Sequence, residues 1–169
     1  MKAISPSITH RAAAGLVALN LDRAEAVVRM FDAFQSRAAG LGAKLDGVWV
    51  QHMFEGGTEI LVTALRDREF GVMVGCGIGG GMTEVIDDVV FTRAPISTEG
   101  AEDLLGRLRT LQRLPAFLSK EQRALAADFV ARFSALVASA PWPSFTFEIN
   151  PLKVAQNGAA AVDGLLIVG

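Results

Sequence analysis

Apolar residues at Val27, Phe31, Phe34 and Ala38 recur at helical spacing and predict an amphipathic helix over residues 22–39. Asp22-x-x-Glu25 has the layout of a capped helix start, and Gly40 and Gly42 supply its end. Shorter apolar runs predict strands over 1–4, 15–21, 48–54, 59–65, 70–76 and 85–96. Turns at Glu55-Gly56-Gly57-Thr58 and Arg66-Asp67-Arg68-Glu69 join the middle runs into an antiparallel meander. A helix from Ser97 or Thr98 to Thr110 carries Leu104, Leu105, Leu108 and Leu111 on or near its buried stripe. Ser119-x-x-Gln122 is a capping box that opens a second long helix, with Leu125, Phe129, Phe133 and Leu136 inward, stopped by Pro141 and Pro143. The chain closes with apolar runs at 147–154 and 160–168 joined through Gln156-Asn157-Gly158, a hairpin signal because Asn-Gly tolerates the positive φ of a tight turn. About seven strands and three helices give an α+β fold, a mostly antiparallel or mixed sheet packed against helices.

With 169 residues there is enough chain for one domain or two small lobes with a real core. Apolar residues make up 51% of the sequence and mean hydropathy is +0.36, so part of the apolar surface is expected to meet other domains, a partner subunit or a second copy. The net charge is -2 and no Lys/Arg cluster occurs, which argues against nucleic acid as a partner. The longest weakly charged run, 71–83, is interrupted by six glycines and is too short to span a bilayer, so no membrane partner is expected. The N-terminus lacks the layout of a secretory signal, and the single cysteine, Cys76, cannot form an internal disulfide; both fit a cytoplasmic setting. Cys76 has no neighbouring His or Cys in sequence and reads as a small buried residue.

Chemistry concentrates in few places. The C-terminal hairpin carries Glu148, Asn150 and Asp163, and facing strands can bring a carboxamide and a carboxylate onto one hard cation such as Mg²⁺. The same three residues also read as solvated polar positions on an edge hairpin. His10 sits in a loop of small residues, and the adjacent Arg11 charge disfavours its protonation, which favours a nucleophilic imidazole near neutral pH. The run Gly75-Cys-Gly-Ile-Gly-Gly-Gly81 could bring backbone N–H groups against a phosphate, but it matches neither a Walker nor a dinucleotide fingerprint and reads equally as a flexible loop. Asp87-Asp88 reads more simply as a turn than as a metal pair.

Four segments in order carry a family resemblance: Lys2-Ala-Ile-Ser-Pro-Ser-Ile-Thr-His-Arg-Ala-Ala-Ala-Gly-Leu-Val-Ala-Leu-Asn20; Val50-Gln-His-Met53 with Gly57-Thr-Glu59; Arg66-Asp-Arg-Glu-Phe-Gly71 with residues 74–96; and Glu148-Ile-Asn-Pro-Leu152 with Asp163. Together they resemble the ATP-grasp domain of ADP-forming acyl-CoA synthetases, relatives of the succinyl-CoA synthetase β subunit. The resemblance implies ATP and Mg²⁺ as cofactors and CoA as a substrate of the complete enzyme. It assigns Lys2 to the nucleotide phosphates, Gln51, His52 and Met53 to the adenine hinge, and Asn150 and Asp163 to the Mg²⁺. His10 becomes the phosphoryl carrier and Glu148 the acid that orients it. It also implies that residues 1–52 are the remainder of a first lobe and 53–169 a second lobe, with part of the first lobe and the CoA-binding and ligase domains or subunit absent from this sequence. The isolated chain is then expected to be inactive. Departures from the family pattern are Arg11, Ala14, His52 and Val72 where Lys, Gly, Glu and Pro are usual, and the Arg-Gly element usual before the last long helix is missing. A non-catalytic binding or regulatory module of the same fold is the alternative they raise.

Overall fold

The computed structural model describes residues 1–8 and 11–169, and among these the strand pairing is antiparallel throughout, in two separate sheets. The chain divides into two compact units, 1–53 and 54–169.

In the first unit β1 (Lys2–Ile4) pairs with β2 (Gly47–Trp49), and α1 (Ala24–Gly40) supplies the packing surface. Met1, Ala3, Leu16, Ala18 and Phe34 form a small core, with Val27, Met30 and Val48 against it. Residues 15–21 do not form a strand: Val17 alone bridges to Lys2, and Gly15 and Asn20 take positive φ, which ends extended pairing on either side. Nor does Asp22 cap the helix; Arg23 occupies the N-cap without a side-chain bond, and Asp22 instead lies 3.6 Å from the Arg23 guanidinium in an exposed pair. The strand expected over 48–54 is shorter, so Gln51, His52 and Met53 fall in the irregular segment after β2.

The second unit is a sheet of six strands, with β5 (Val89–Arg93), β4 (Gly71–Ile78), β3 (Thr58–Asp67) and β6 (Phe145–Ala155) side by side in that order, and β7 (Gly158–Ala161) and β8 (Gly164–Val168) both paired to the outer side of β6. β3 (Thr58–Asp67) and β4 (Gly71–Ile78) form the long hairpin, and β5 (Val89–Arg93) adds to β4. The segment expected as one strand over 85–96 instead opens with α2 (Thr83–Ile86), because Asp87 turns at φ 45 before the strand begins. Similarly, the helix expected to reach Thr110 is two: α3 (Thr98–Gly106), capped by Ser97 Oγ accepting from Gly100 N at 3.1 Å, and α4 (Arg109–Arg113).

α5 (Lys120–Ala138) carries the predicted capping box: Ser119 Oγ accepts from Gln122 N at 3.2 Å and Gln122 Oε1 from Ser119 N at 2.9 Å. Gln122 also donates through Nε2 to the Val154 carbonyl at 2.7 Å, tying the start of α5 to the sheet. One sheet face is packed by α3 and α5. Alternate residues Ile60, Val62 and Ala64 of β3, and Val72, Val74 and Cys76 of β4, meet Leu104, Leu105, Val130 and Phe133 there. Burial of side chains of this size contributes about 1.5–3 kcal/mol each.

β6 (Phe145–Ala155) is the spine of the site. Its first half pairs with β8 (Gly164–Val168) and its second half with β7 (Gly158–Ala161), through the predicted Asn-Gly turn. The single run expected over 160–168 is therefore two strands, parted at Val162 and Asp163 opposite Asn150 and Pro151, where Pro151 has no N–H to give the ladder.

Candidate functional site

The interruption in β6 decides where the polar side chains go. Ile149 before the break and Leu152 and Val154 after it are buried on the helix side, with a register shift against β3 between them, so alternation within each half sets Glu148 and Asn150, and then Lys153, on the opposite face. Backbone bonds hold the break closed: Asn150 N donates to Asp163 O at 3.2 Å and Val162 N to Pro151 O at 3.2 Å. Asn150 and Asp163, predicted as a ligand pair, are thus opposite one another at one point of the sheet. Asp163 Oδ1 accepts from Gly164 N at 3.0 Å, which orients the carboxylate from its own strand. Glu148 lies two residues before Asn150, in register with Thr63 on one side and Leu165 on the other.

The glycine run splits into two roles that its composition did not separate. Gly75 and Gly77 lie within β4, not in a loop. A Cβ at Gly75 would stand 2.6 Å from Phe91 Cε1, so the missing side chain is what lets the Phe91 ring lie across the open face, where it stays 44% exposed. Gly79 to Gly81 form the turn. A Cβ at Gly79 would meet the Ile60 carbonyl carbon at 2.4 Å, and Gly80 combines φ +74 with the Glu59 carboxylate in the space its Cβ would need. This turn therefore lies directly on the start of β3, and Gly80 N donates to Asn150 Oδ1 at 2.8 Å. Thr83 completes the contact: its Oγ1 donates to Gly80 O at 2.8 Å and accepts from Asn150 Nδ2 at 3.3 Å. Beside them Lys153 Nζ lies 3.6 Å from Glu59 Oε1 and donates to Phe54 O at 3.3 Å.

Gly80, Thr83, Glu59 and Lys153 were not singled out as site residues in the sequence. The signal for Gly80 was present, a glycine triplet after a strand, but its partner Asn150 is seventy residues away.

The chemistry assembled here is two hard oxygen donors from Asn150 and Asp163, one more carboxylate at Glu148, one ammonium at Lys153, and backbone N–H groups at a glycine turn. Oxygen donors of this kind suit Mg²⁺, which keeps several waters and takes one or two protein ligands alongside substrate phosphates. The Asn150 carbonyl has two lone pairs, so the Gly80 bond leaves acceptor capacity for a cation. Among the described residues no group of three or more His, Cys, Asp or Glu side chains could hold a metal by itself.

Other candidates resolve differently. In the first unit Lys2 is in β1, opposite Trp49, while Gln51 and His52 are exposed and Met53 is half-buried. His10 lies outside the described residues. Asp88 is not a ligand: at 4% exposure it accepts from Arg109 N at 3.1 Å and Thr110 N at 2.7 Å, and so caps α4 from a distance. Burial opposes its ionisation, but the bonds from Thr110 and Arg109 outweigh that and hold the carboxyl below its usual range. Cys76 is fully buried, and burial pushes its thiol up to about 12, which removes it as a nucleophile.

These elements define the class. The chain belongs to the ATP-grasp domain family, which it matches over residues 1–168. Two curated relatives are similar along its whole length: an ADP-forming acetate–CoA ligase of Archaeoglobus fulgidus, 30% identical over 100% of this chain, and the β subunit of an ADP-forming acetate–CoA ligase of Pyrococcus furiosus, 30% identical over 99%. The chain spans 25% of the first relative and 74% of the second. Among solved structures, an acetyl-coenzyme A synthetase of Ca. Korarchaeum cryptofilum in complex with coenzyme A and Ca-AMPCP superposes with TM-score 0.89 at 26% identity, covering 99% of this chain and 75% of that one. A protein from Pyrococcus horikoshii superposes with TM-score 0.86, also at 26% identity. The chain is homologous to the nucleotide-binding part of ADP-forming acyl-CoA synthetases.

Proposed function

We propose that this domain binds Mg·ATP for an ADP-forming acyl-CoA synthetase, in which ATP, a carboxylate and CoA give acyl-CoA, ADP and phosphate. The observation that carries the reading is the break in β6, which sets Asn150 and Asp163 opposite one another beside a glycine turn that already bonds Asn150. In this proposal Asn150 and Asp163 hold the Mg²⁺, whose charge offsets that of the phosphates during in-line transfer. Lys2 neutralises phosphate oxygens from β1, and Gln51, His52 and Met53 pack the adenine. His10 accepts the phosphoryl group and passes it to the carboxylate-activating site, and Glu148 accepts the N–H of the second imidazole nitrogen, keeping the attacking nitrogen unprotonated. Residues 1–52 then stand for part of one ATP-grasp lobe and 53–169 for the other. The CoA and acyl sites are assigned to domains or a subunit outside this chain, in line with the fraction of the relatives that it spans.

The test is transfer of label from γ-³²P ATP to the complete enzyme. The reading requires acid-labile labelling of the wild type, none in His10→Ala, and raised Mg²⁺ requirement in Asn150→Ala and Asp163→Ala. Full labelling of the His10 variant would reject its role.

A further inference from the structure

Thr83 has no part in the ligand set just described, yet it has a hydrogen-bond geometry that constrains Asn150. Its hydroxyl carries one proton, and that proton is committed to Gly80 O at 2.8 Å. Toward Asn150, 3.3 Å away, Thr83 Oγ1 can therefore only accept, so the end of the carboxamide facing it must be the NH₂. The other end, Oδ1, then faces Gly80 N, which can only donate, at 2.8 Å. A carboxamide rotated by half a turn would place its oxygen against a lone pair of Thr83 and its NH₂ against the Gly80 N–H, two repulsive contacts in place of two bonds. Gly80 contributes both its N–H and its carbonyl to the cycle, and its positive φ of 74 and missing Cβ, whose place the Glu59 carboxylate takes, fix it there.

We infer that Thr83 is a positioning residue that fixes which end of the Asn150 carboxamide is presented as the cation ligand. This rests on the reading of Asn150 as a Mg²⁺ ligand. An asparagine ligates a hard cation only through its oxygen, so an amide free to flip would offer the wrong end part of the time, whereas a carboxylate has no wrong end. Groups that orient a ligand in this way typically change metal affinity about 10–100-fold when removed.

The experiment is a double-mutant cycle with two readouts. In the complete enzyme, Mn²⁺ binding in the presence of the methylene analogue of ATP, AMPPCP, is titrated by electron paramagnetic resonance. Thr83→Val, nearly isosteric but without the hydroxyl, is expected to weaken Mn²⁺ binding at least about 10-fold, and Thr83→Ser to leave it within about 2-fold. In the Asn150→Asp background, Thr83→Val is expected to have no further effect, since both ends of that side chain are oxygen. An equal penalty in both backgrounds, or an equal penalty for Val and Ser, would reduce Thr83 to a packing residue and overturn the inference. The second readout is the Asn150 side-chain NH₂ signal in ¹⁵N–¹H spectra of the 169-residue chain. Its shift should change in Thr83→Val and be retained in Thr83→Ser without any metal. A signal indifferent to both variants rejects the orientation. Absence of nucleotide-dependent Mn²⁺ binding in the wild type would instead sink the metal reading of Asn150, and the amide signal would still decide what Thr83 does.

Discussion

Gly80 shows how much one residue without a side chain can settle. It turns the chain at φ +74, gives its N–H to Asn150, and leaves room for the Glu59 carboxylate that pairs with Lys153. Gly80→Ala must strain the backbone and displace Glu59 together; we expect a loss of about 1–3 kcal/mol in urea unfolding, with nucleotide-dependent metal binding falling in parallel. An unchanged midpoint would mean that Glu59 moves away at no cost. Asp88 gives a pH-dependent counterpart. Its carboxyl is held below the usual range in the folded chain, so its stabilisation is present at pH values above the unfolded-state value and is lost as acid titrates it through the lower folded value. Asp88→Asn should therefore flatten the acid limb of the stability profile below about pH 4. Asp88→Ala should cost about 1–3 kcal/mol at pH 7 by leaving the Arg109 and Thr110 N–H groups without an acceptor. Cys76, with its thiol near 12, should resist a thiol reagent at pH 8 until the protein unfolds; rapid native labelling would show that β4 opens locally.

At the scale of elements, the Ser119 capping box ties helix to sheet. Ser119→Ala should cost about 1 kcal/mol, as helix caps generally do. Gln122→Ala should cost more, since it also frees the Val154 carbonyl on β6; equal costs in thermal or urea melts would show that the sheet contact is idle. Elements whose signals are local were legible in the sequence. The Ser119 box, the Ser97 start, the β3–β4 hairpin and the Asn-Gly turn all depend on residues within a few positions of one another. Elements set by distant partners were not. Residues 15–21 look extended by composition, but positive φ at Gly15 and Asn20 leaves one bridge. Asp87-Asp88 is ambiguous until Arg109 and Thr110 arrive from another helix to use the second aspartate as their cap. The candidate site divides in the same way. Asn150 and Asp163 share one hairpin and could be paired from the sequence, whereas Gly80 and Thr83 reach Asn150 only through the sheet order.

For the whole molecule, the roles implied by the family fall on both compact units, with Lys2 and residues 51–53 in one and Glu148, Asn150 and Asp163 in the other. A nucleotide site typically buries most of its ligand's surface, and affinity drops steeply when part of the lining is missing. This chain spans 74% of the Pyrococcus furiosus β subunit and 75% of the Korarchaeum chain bound to Ca-AMPCP, so a quarter of each has no counterpart in it. Apolar side chains are left uncovered in both units, among them Trp49 and Val50 after the start of β2 and Ile167, 56% exposed, on the edge strand β8. The 169-residue chain by itself is therefore expected to bind Mg·AMPPCP weakly, with a dissociation constant above about 1 mM, equivalent to less than about 4 kcal/mol of binding. The measurement is isothermal titration of this chain beside a version joined to the domains or subunit of the complete enzyme. Strong binding restored in the joined protein alone would place the missing affinity outside the chain. Micromolar binding by the chain alone would mean that residues 1–169 already enclose the nucleotide.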